Sequence, residues 1–484
     1  MFWRGVWGYL PANIVQGVVG LLTILIFTRL LSAEDFGRYA LAFSVMSLAH
    51  VAAFTWLEAA MARFWAAQKP DEMSSHFASV WRTLAIIILA FAPIAALALW
   101  MWPVEAPLKL AVAAGLAGVP VRCAAKIAQE RFRAAGEVGP AARLDIWTTA
   151  GGFAIGVAFA LAGAGGAAPL LGLALAPLAA LPFILPGEIK QTRDGQVEPG
   201  RLRSYAAYGF PLSASLALAL ALASTDRFLL AAFLDEATVG AYHAAYSLAN
   251  RTLDVIFIWL GAAGGPALIM ALERGGQGAL RAAAREQASV FVLIALPAAV
   301  GLALVAQPMA EVMIGEDLRT AAASVTPWIA AGAFLAGMTT YYFHQAFTLG
   351  RRTGWLLAAM AIPALANLIL CLILIPIMGL TGAAAATALS FGVAVFASIA
   401  LGGRVQPLPF PAEALLRCGA AALLMAAVVS VLPDLGGLAE LILKAGAGAA
   451  TYAVATLMLN AAGVRDHGAR LLRHPRLSFL RAAP

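Results

Sequence analysis

Apolar segments long enough to cross a bilayer follow one another along almost the whole chain, and the polar stretches between them are short. A spanning helix needs roughly 20 mainly apolar residues, because a rise of about 1.5 Å per residue must cover a hydrocarbon core about 30 Å thick. Fourteen segments meet that test, near 6–29, 38–60, 80–102, 108–128, 143–163, 167–187, 206–230, 239–265, 287–309, 322–347, 355–376, 380–401, 412–432 and 438–461. The core holds no water to satisfy backbone N–H and C=O groups, so open segments of this kind must be helical. The chain is 62% hydrophobic and 12% charged, about half the charge of a soluble domain. These features predict an all-α polytopic membrane protein with about 14 transmembrane helices. Pro11, Pro93, Pro211, Pro297 and Pro363 fall inside spans, where neighbouring helices can re-satisfy the backbone. No segment between spans is long enough to fold as a separate domain.

The charges orient the chain. Of the 32 Lys and Arg residues, Arg29, Arg38, Lys109, Arg227, Arg319 and Lys444 lie on one side. Arg251 lies within a span, and all the others fall on the opposite side or at its helix ends. Positive residues accumulate on the cytoplasmic side, so both termini are expected in the cytoplasm. Removing one span would reverse every later loop and erase the bias. The formal net charge of +7 is dispersed over short loops and forms no nucleic-acid surface. The tail from Arg470 to Arg481 interleaves Arg with Leu and Phe and is expected to lie on the anionic inner leaflet. Cys123, Cys371 and Cys418 sit in or beside apolar segments without metal spacing, as small core residues do. No phosphate-binding Gly-Lys-Ser/Thr loop and no metal-ligand cluster occurs. No cofactor is expected, and the choice of H+ or Na+ as coupling ion stays open.

An internal repeat is also visible. Gly37-x-Tyr39-x-x-Ala42-x-Ser44 returns as Gly240-x-Tyr242-x-x-Ala245-x-Ser247. Ala78-Ser79-Val80 returns as Ala288-Ser289-Val290, Gly136 matches Gly350, and Gly166-Ala167-Ala168 matches Gly382-Ala383-Ala384. The matches keep their order while the offset drifts slowly from 203 to 216, as small loop insertions produce. Six spans precede the second unit, and an even number returns the chain to the same side. The two units are therefore parallel repeats, an arrangement typical of transporters that bind substrate at the repeat interface. The expected organisation is 1–187 as a first lobe, 188–204 as a cytoplasmic linker, 205–402 as a second lobe, 403–462 as two added spans and 463–484 as a basic tail.

Charges inside the membrane are costly, about 2.5–3.5 kcal/mol each on insertion scales, and so require a reason. Arg251 and Asp254 lie near the middle of span 8, three residues apart on one face. They read either as a packing salt bridge or as a cationic spot for an anionic substrate. Asn250 sits beside them. Asp226 and Arg227 are placed at the outer end of span 7, and Arg29 at the equivalent end of span 1. These read as interfacial snorkelling or as gate residues. Glu58 and Arg63 are placed at the inner end of span 2, and Arg122 and Lys126 one turn apart near the inner end of span 4. His50 and Asn367 are polar at membrane depth and read first as interhelical hydrogen-bonding groups; His50 has the chemistry to carry a proton.

The segment Thr28-Arg29-Leu30-Leu31-Ser32-Ala33-Glu34-Asp35-Phe36-Gly37-Arg38-Tyr39 closes span 1 and opens span 2. Its counterparts are Ser224-Thr225-Asp226-Arg227-Phe228-Leu229-Leu230 and Val239-Gly240-Ala241-Tyr242. With these residues the chain resembles the Wzx-type polysaccharide flippases of the multidrug/oligosaccharidyl-lipid/polysaccharide (MOP) exporter superfamily. The resemblance implies a V-shaped, bilobed, MATE-like fold of two six-helix repeats plus two C-terminal helices. It implies alternating access and transfer of an undecaprenyl-diphosphate-linked oligosaccharide between leaflets, with cationic cavity residues holding the diphosphate. Arg251 is then the first candidate, followed by Arg29 and Arg227. Membrane lipids and polysaccharide polymerase machinery are the implied partners. A MATE-type multidrug exporter, a peptidoglycan-precursor flippase and, from another class, a membrane polysaccharide polymerase or ligase are the alternatives. Span 1 carries no acid at membrane depth, which disfavours a cation exporter. A polymerase needs a large external loop, which is lacking.

Overall fold

The computed structural model describes residues 2–465 except Thr353, and the described residues form helices and turns with no strand. The basic tail residues Arg470, Arg473, Arg476 and Arg481 lie outside the described residues. The first helices are α1 (Phe2–Leu30), α2 (Ala33–Ala53), α3 (Thr55–Trp65), α4 (Met73–Met101), α5 (Ala106–Ala134), α6 (Val138–Ile146), α7 (Gly152–Leu161) and α8 (Ala168–Thr192). There follow α9 (Pro199–Phe233), α10 (Glu236–Leu304), α11 (Ala306–Met313), α12 (Glu316–Met338), α13 (Gln345–Leu349), α14 (Gly354–Gly402), α15 (Ala412–Ser430) and α16 (Gly437–Met458). Trp147–Gly151 joins α6 to α7, and Thr339–Phe343 extends α12, each as a π-helical turn.

Among the described residues, eleven helices are long and apolar enough to cross a membrane, or 12 with the bent pair α2–α3 taken as one span. Two of them exceed any bilayer: α10 has 69 residues and α14 has 49, where roughly 20 suffice. Each contains one glycine off the helical path, Gly276 at φ 65° and Gly379 at φ 59°. A side chain at such φ would press against the backbone, so glycine is the residue that turns the chain there. Breaking both helices at these glycines, and taking the bent pair as one, gives fourteen candidate spans among the described residues, in line with the fourteen apolar segments. The repeat pairing of Gly136 with Gly350 does not extend to backbone geometry. Gly136 takes φ 74°, whereas near Gly350 the positive φ falls on Arg351 at 54°.

The described residues form two compact units, one built from those up to Ala244 with Ile314–Leu318, the other from Ala245–Met313 and those from Arg319 to Arg465. In the first unit α9 packs on α2 and α3. Gly209 of α9 faces the backbone of Trp56, where an added Cβ would stand 2.6 Å from its carbonyl oxygen. Lipid is as apolar as leucine, so helices in a membrane associate through close contact of small residues and through polar links. Gly152 and Gly156 of α7 face Gly172 of α8; a Cβ on Gly172 would collide with the Gly152 carbonyl and stand 2.7 Å from the Gly156 nitrogen.

The repeated motif makes a second close contact in this unit. A Cβ on Gly37 of α2 would collide with the carbonyl of Glu236, at the start of α10. A Cβ on Gly240 would stand 2.7 Å from the Ala33 carbonyl oxygen and 3.1 Å from the Gly37 nitrogen. The contact is reciprocal: each motif glycine rests on the residue four positions before the other. Both helices begin with equivalent side-chain caps, since Asp35 N donates to Ser32 Oγ at 3.2 Å and Thr238 N donates to Asp235 Oδ1 at 2.7 Å. Arg38 Nε lies 2.6 Å from Glu236 Oε2 and its Nη1 lies 3.1 Å from Asp35 Oδ1. Gly315 N donates to Thr28 Oγ1 at 2.9 Å and completes this end.

The opposite end of the unit is held by a buried ion pair. Arg131 of α5 donates through Nε and Nη2 to Glu188 Oε1 of α8 at 2.9 and 2.7 Å. Trp81 Nε1 of α4 donates to Glu188 Oε2 at 3.2 Å, and Arg131 Nη1 donates to Glu137 Oε1 at 2.8 Å. Glu188 is 1% exposed and Arg131 9%, so neither charge can be left without its partner. Arg131→Met is expected to cost about 3–5 kcal/mol by stranding the Glu188 carboxylate, read as a lower unfolding midpoint in detergent. Arg131→Met combined with Glu188→Leu should recover most of the loss; equal destabilisation by the single and double variants would contradict this account.

Candidate functional site

The structure gathers three of the charged or titratable candidates inside the first unit. The second span bends by 48° between Ala53 and Thr55, at Phe54, which is fully buried. No proline or glycine occupies the break, and φ −122° at Phe54 takes that residue off the helix. His50 lies one turn before the break and Glu58 one turn after it, so the bend brings them together, with His50 Nε2 2.8 Å from Glu58 Oε1. Glu58 therefore does not close the second span at the interface as expected; it is 7% exposed inside the helix packing. Arg122 and Cys123 of α5 lie beside the same carboxylate. Arg122 Nη1 also donates to Met46 Sδ at 3.1 Å. The result is a compact acid–base group on α2, α3 and α5. Lys126 turns away from it, donating to Gln129 Oε1 at 3.0 Å and pairing with Glu130 at 3.2 Å. Arg63 is exposed, with its guanidinium 5.9 Å from the Phe64 ring and 6.0 Å from the Tyr208 ring.

Asp226 and Arg227 are not at the end of their helix. The helix α9 continues to Phe233, because the apolar run Phe228–Phe233 meets no breaker. Asp226 is 3% and Arg227 7% exposed, so neither snorkels to an interface. Tyr242 Oη donates to Asp226 Oδ2, and Asp226 Oδ1 accepts from Arg227 N at 2.9 Å. Arg227 Nη1 donates to the Ala223 carbonyl at 3.1 Å. This acid thus ties the repeat tyrosine of α10 to α9. Arg29, by contrast, is exposed in the last turn of α1 and donates from Nη1 to the Leu25 carbonyl at 2.8 Å.

In the second unit Arg251 and Asp254 lie exposed on one face of α10. They form no salt bridge within 4.0 Å among the described residues, so the pairing expected from their spacing is not made. The i, i+3 spacing puts both on one side, but it does not require extended side chains to meet. Asn250 is half-buried and donates to the Tyr246 carbonyl at 3.1 Å. Asn367 Nδ2 donates to Thr387 Oγ1 at 3.5 Å, linking the two halves of α14 across the Gly379 turn.

Other polar groups were not singled out by sequence. Asp145 of α6 is 8% exposed, accepts from Gln16 Nε2 of α1 at 2.8 Å and lies 3.6 Å from Arg133 Nη2. His76 and Tyr205, both buried, bond ring nitrogen to hydroxyl and join α4 to α9. These groups occupy helix ends where polar residues are common, so nothing in their spacing separated them from loop anchors.

The fold has clear counterparts among solved structures. One, described as the lipid II flippase MurJ in an inward closed conformation, aligns over 93% of this chain and 98% of its own, with a TM-score of 0.75 and 14% identity. An inward-facing multidrug resistance MATE family transporter of the MOP superfamily aligns over 80% of this chain and 94% of its own, with a TM-score of 0.64 and 15% identity. A MATE transporter of Vibrio cholerae aligns over 83% and 95%, with a TM-score of 0.53 and 15% identity. At these identities the likeness establishes a MATE-like fold. No curated protein sequence matches the chain. Residues 26–323, more than half of the chain and including both copies of the glycine–tyrosine motif, match a family described as "Polysaccharide biosynthesis protein", and the chain belongs to that family.

Proposed function

We propose that the protein is a flippase that moves an undecaprenyl-diphosphate-linked oligosaccharide, an O-antigen, capsule or exopolysaccharide unit, across the bacterial inner membrane by alternating access. The observation that carries this reading is the pairing of a polysaccharide biosynthesis family with a MATE-like fold also found in a lipid II flippase and in multidrug transporters. An amphiphilic substrate of this kind presents a charged head group to protein while its polyprenyl tail stays in lipid. The chain supplies cations suited to a diphosphate. Arg251 stands exposed on α10 without a salt bridge among the described residues, and its planar fork matches phosphate oxygens with two parallel hydrogen bonds. An arginine in that position within a span is costly unless a ligand uses it. Arg29 and Arg122 are the next candidates. Asp226, Arg227 and Asn250 act through helix packing, given the partners they hold.

Turnover needs a driving ion, H+ or Na+, and the His50–Glu58 pair is the group we assign to proton exchange. It joins a buried acid to a half-buried base at 2.8 Å and straddles a bend. Polysaccharide polymerase machinery is the expected downstream partner on the outer side, and both termini are placed in the cytoplasm by the loop charges.

A deletion strain should accumulate lipid-linked glycan on the inner leaflet. Death of the strain would point instead to a peptidoglycan precursor, and heightened sensitivity to cationic drugs with normal glycan to a multidrug exporter. Arg251→Ala should insert normally and lower glycan export by about 10- to 100-fold, the loss of charge-assisted hydrogen bonds to phosphate. Normal surface glycan in that strain removes Arg251 from the substrate path. In proteoliposomes, Glu58→Gln should abolish the response of transport to an imposed proton gradient; an unchanged response assigns coupling elsewhere.

A further inference from the structure

We infer that the repeated Gly-x-Tyr-x-x-Ala-x-Ser motif encodes a latch, a crossing of α2 on the start of α10 that parts during turnover, and that Arg38–Glu236 holds it shut. The inference rests on the alternating-access reading above.

The crossing is built unlike the rest of the first unit. Its core is backbone against backbone: Gly37 on the Glu236 carbonyl and Gly240 on the Ala33 carbonyl. Such an approach leaves no room for side chains between the two backbones at the glycines themselves. The two halves are equivalent in packing but not in charge. By the repeat register, Ala241 stands where Arg38 stands in the first copy, and Ala33 where Glu236 stands in the second. A symmetric contact thus carries a single ion pair, at 2.6 Å, with Asp35 at 3.1 Å and Glu105 at 3.9 Å also facing the Arg38 guanidinium.

Exposure separates this pair from the structural one. The side chains of Arg38 and Glu236 are 17% and 20% exposed, whereas Glu188 in the Arg131 pair is 1% exposed. Charges with access to water regain hydration when separated, so the cost of parting is modest. A fully buried pair strands its charges if broken and stays closed. Loop charges place Arg38 on the outer side of the membrane, the side that must open to release a head group. Beneath the crossing, the His243 ring sits 5.7 Å from the Phe36 ring and 6.0 Å from the Tyr39 ring, centroid to centroid. This aromatic layer lies two turns further along α10 than Glu236; Phe36 and Tyr39 are buried in it and His243 is half-buried.

The test is the labelling rate of a His243→Cys protein by a membrane-impermeant maleimide added from the outer side of sealed vesicles. The native cysteines are all buried, and a protein retaining His243 measures their background. Glu236→Gln should raise the rate about fivefold, the population change expected from removing a partly exposed pair. Gly37→Ala should raise it as well, because its Cβ meets the Glu236 carbonyl. Glu34→Gln, an exposed acid in the same turn that has no ion pair among the described residues, should leave it unchanged. A folded Glu236→Gln protein labelled at the parent rate, or an equal rise with Glu34→Gln, overturns the latch. Labelling needs no substrate, so the latch fails or stands independently of the flippase reading, whose failure shows as absence of lipid-linked glycan in the deletion strain.

Discussion

Close approach of backbone to backbone is the contact on which the first unit depends. In hydrocarbon an apolar side chain gains nothing by leaving lipid for protein, so association rests on contact area between helices that come very near and on polar links between them. Glycine makes that approach feasible. Gly172 lies against Gly152 and Gly156 where α7 meets α8, Gly209 lies against Trp56 where α9 meets α3, and Gly37 with Gly240 brings α2 onto α10. The large apolar residues do different work. Phe183 is 88% and Trp100 77% exposed, which in a soluble protein would be a fault and here suits lipid.

Polar links divide by burial. Arg131 with Glu188, and His76 with Tyr205, are sealed within the helices they join. Arg38 with Glu236 keeps partial contact with water. The same chemistry thus serves as a permanent strut in one place and as a reversible contact in another, because dehydration decides what separating two charges costs. The His50–Glu58 pair is intermediate, its imidazole 18% and its carboxylate 9% exposed beside a bent helix.

The fourteen spans were legible because apolarity over a bilayer's thickness is a local property of the chain. Gly276 and Gly379 could be placed near the turns between spans for the same reason, although the helices on either side run on further than the apolar segments do. The π-helical turns at Trp147–Gly151 and Thr339–Phe343, and the bend at Phe54, left no such trace. No breaker marks the bend, and both of its arms pack against α5 and α9. Among the candidate residues, charge singled out Asp226, Arg227 and Glu58 but gave no sign of their environment. All three were placed at interfaces, and all three are buried.

What the sequence by itself determined was the set of apolar helices and the recurrence of the glycine–tyrosine motif, since both follow from residues read along the chain. What only the tertiary structure decided was which side chains meet. Arg251 and Asp254, three residues apart, make no salt bridge among the described residues, while Arg38 and Glu236, far apart in sequence, do. The repeated glycine–tyrosine motif changed meaning most. Along the chain it marks a duplication; in space each copy is the other's packing surface, because a residue's neighbours in a helical membrane protein are set by how helices cross rather than by spacing within any one of them.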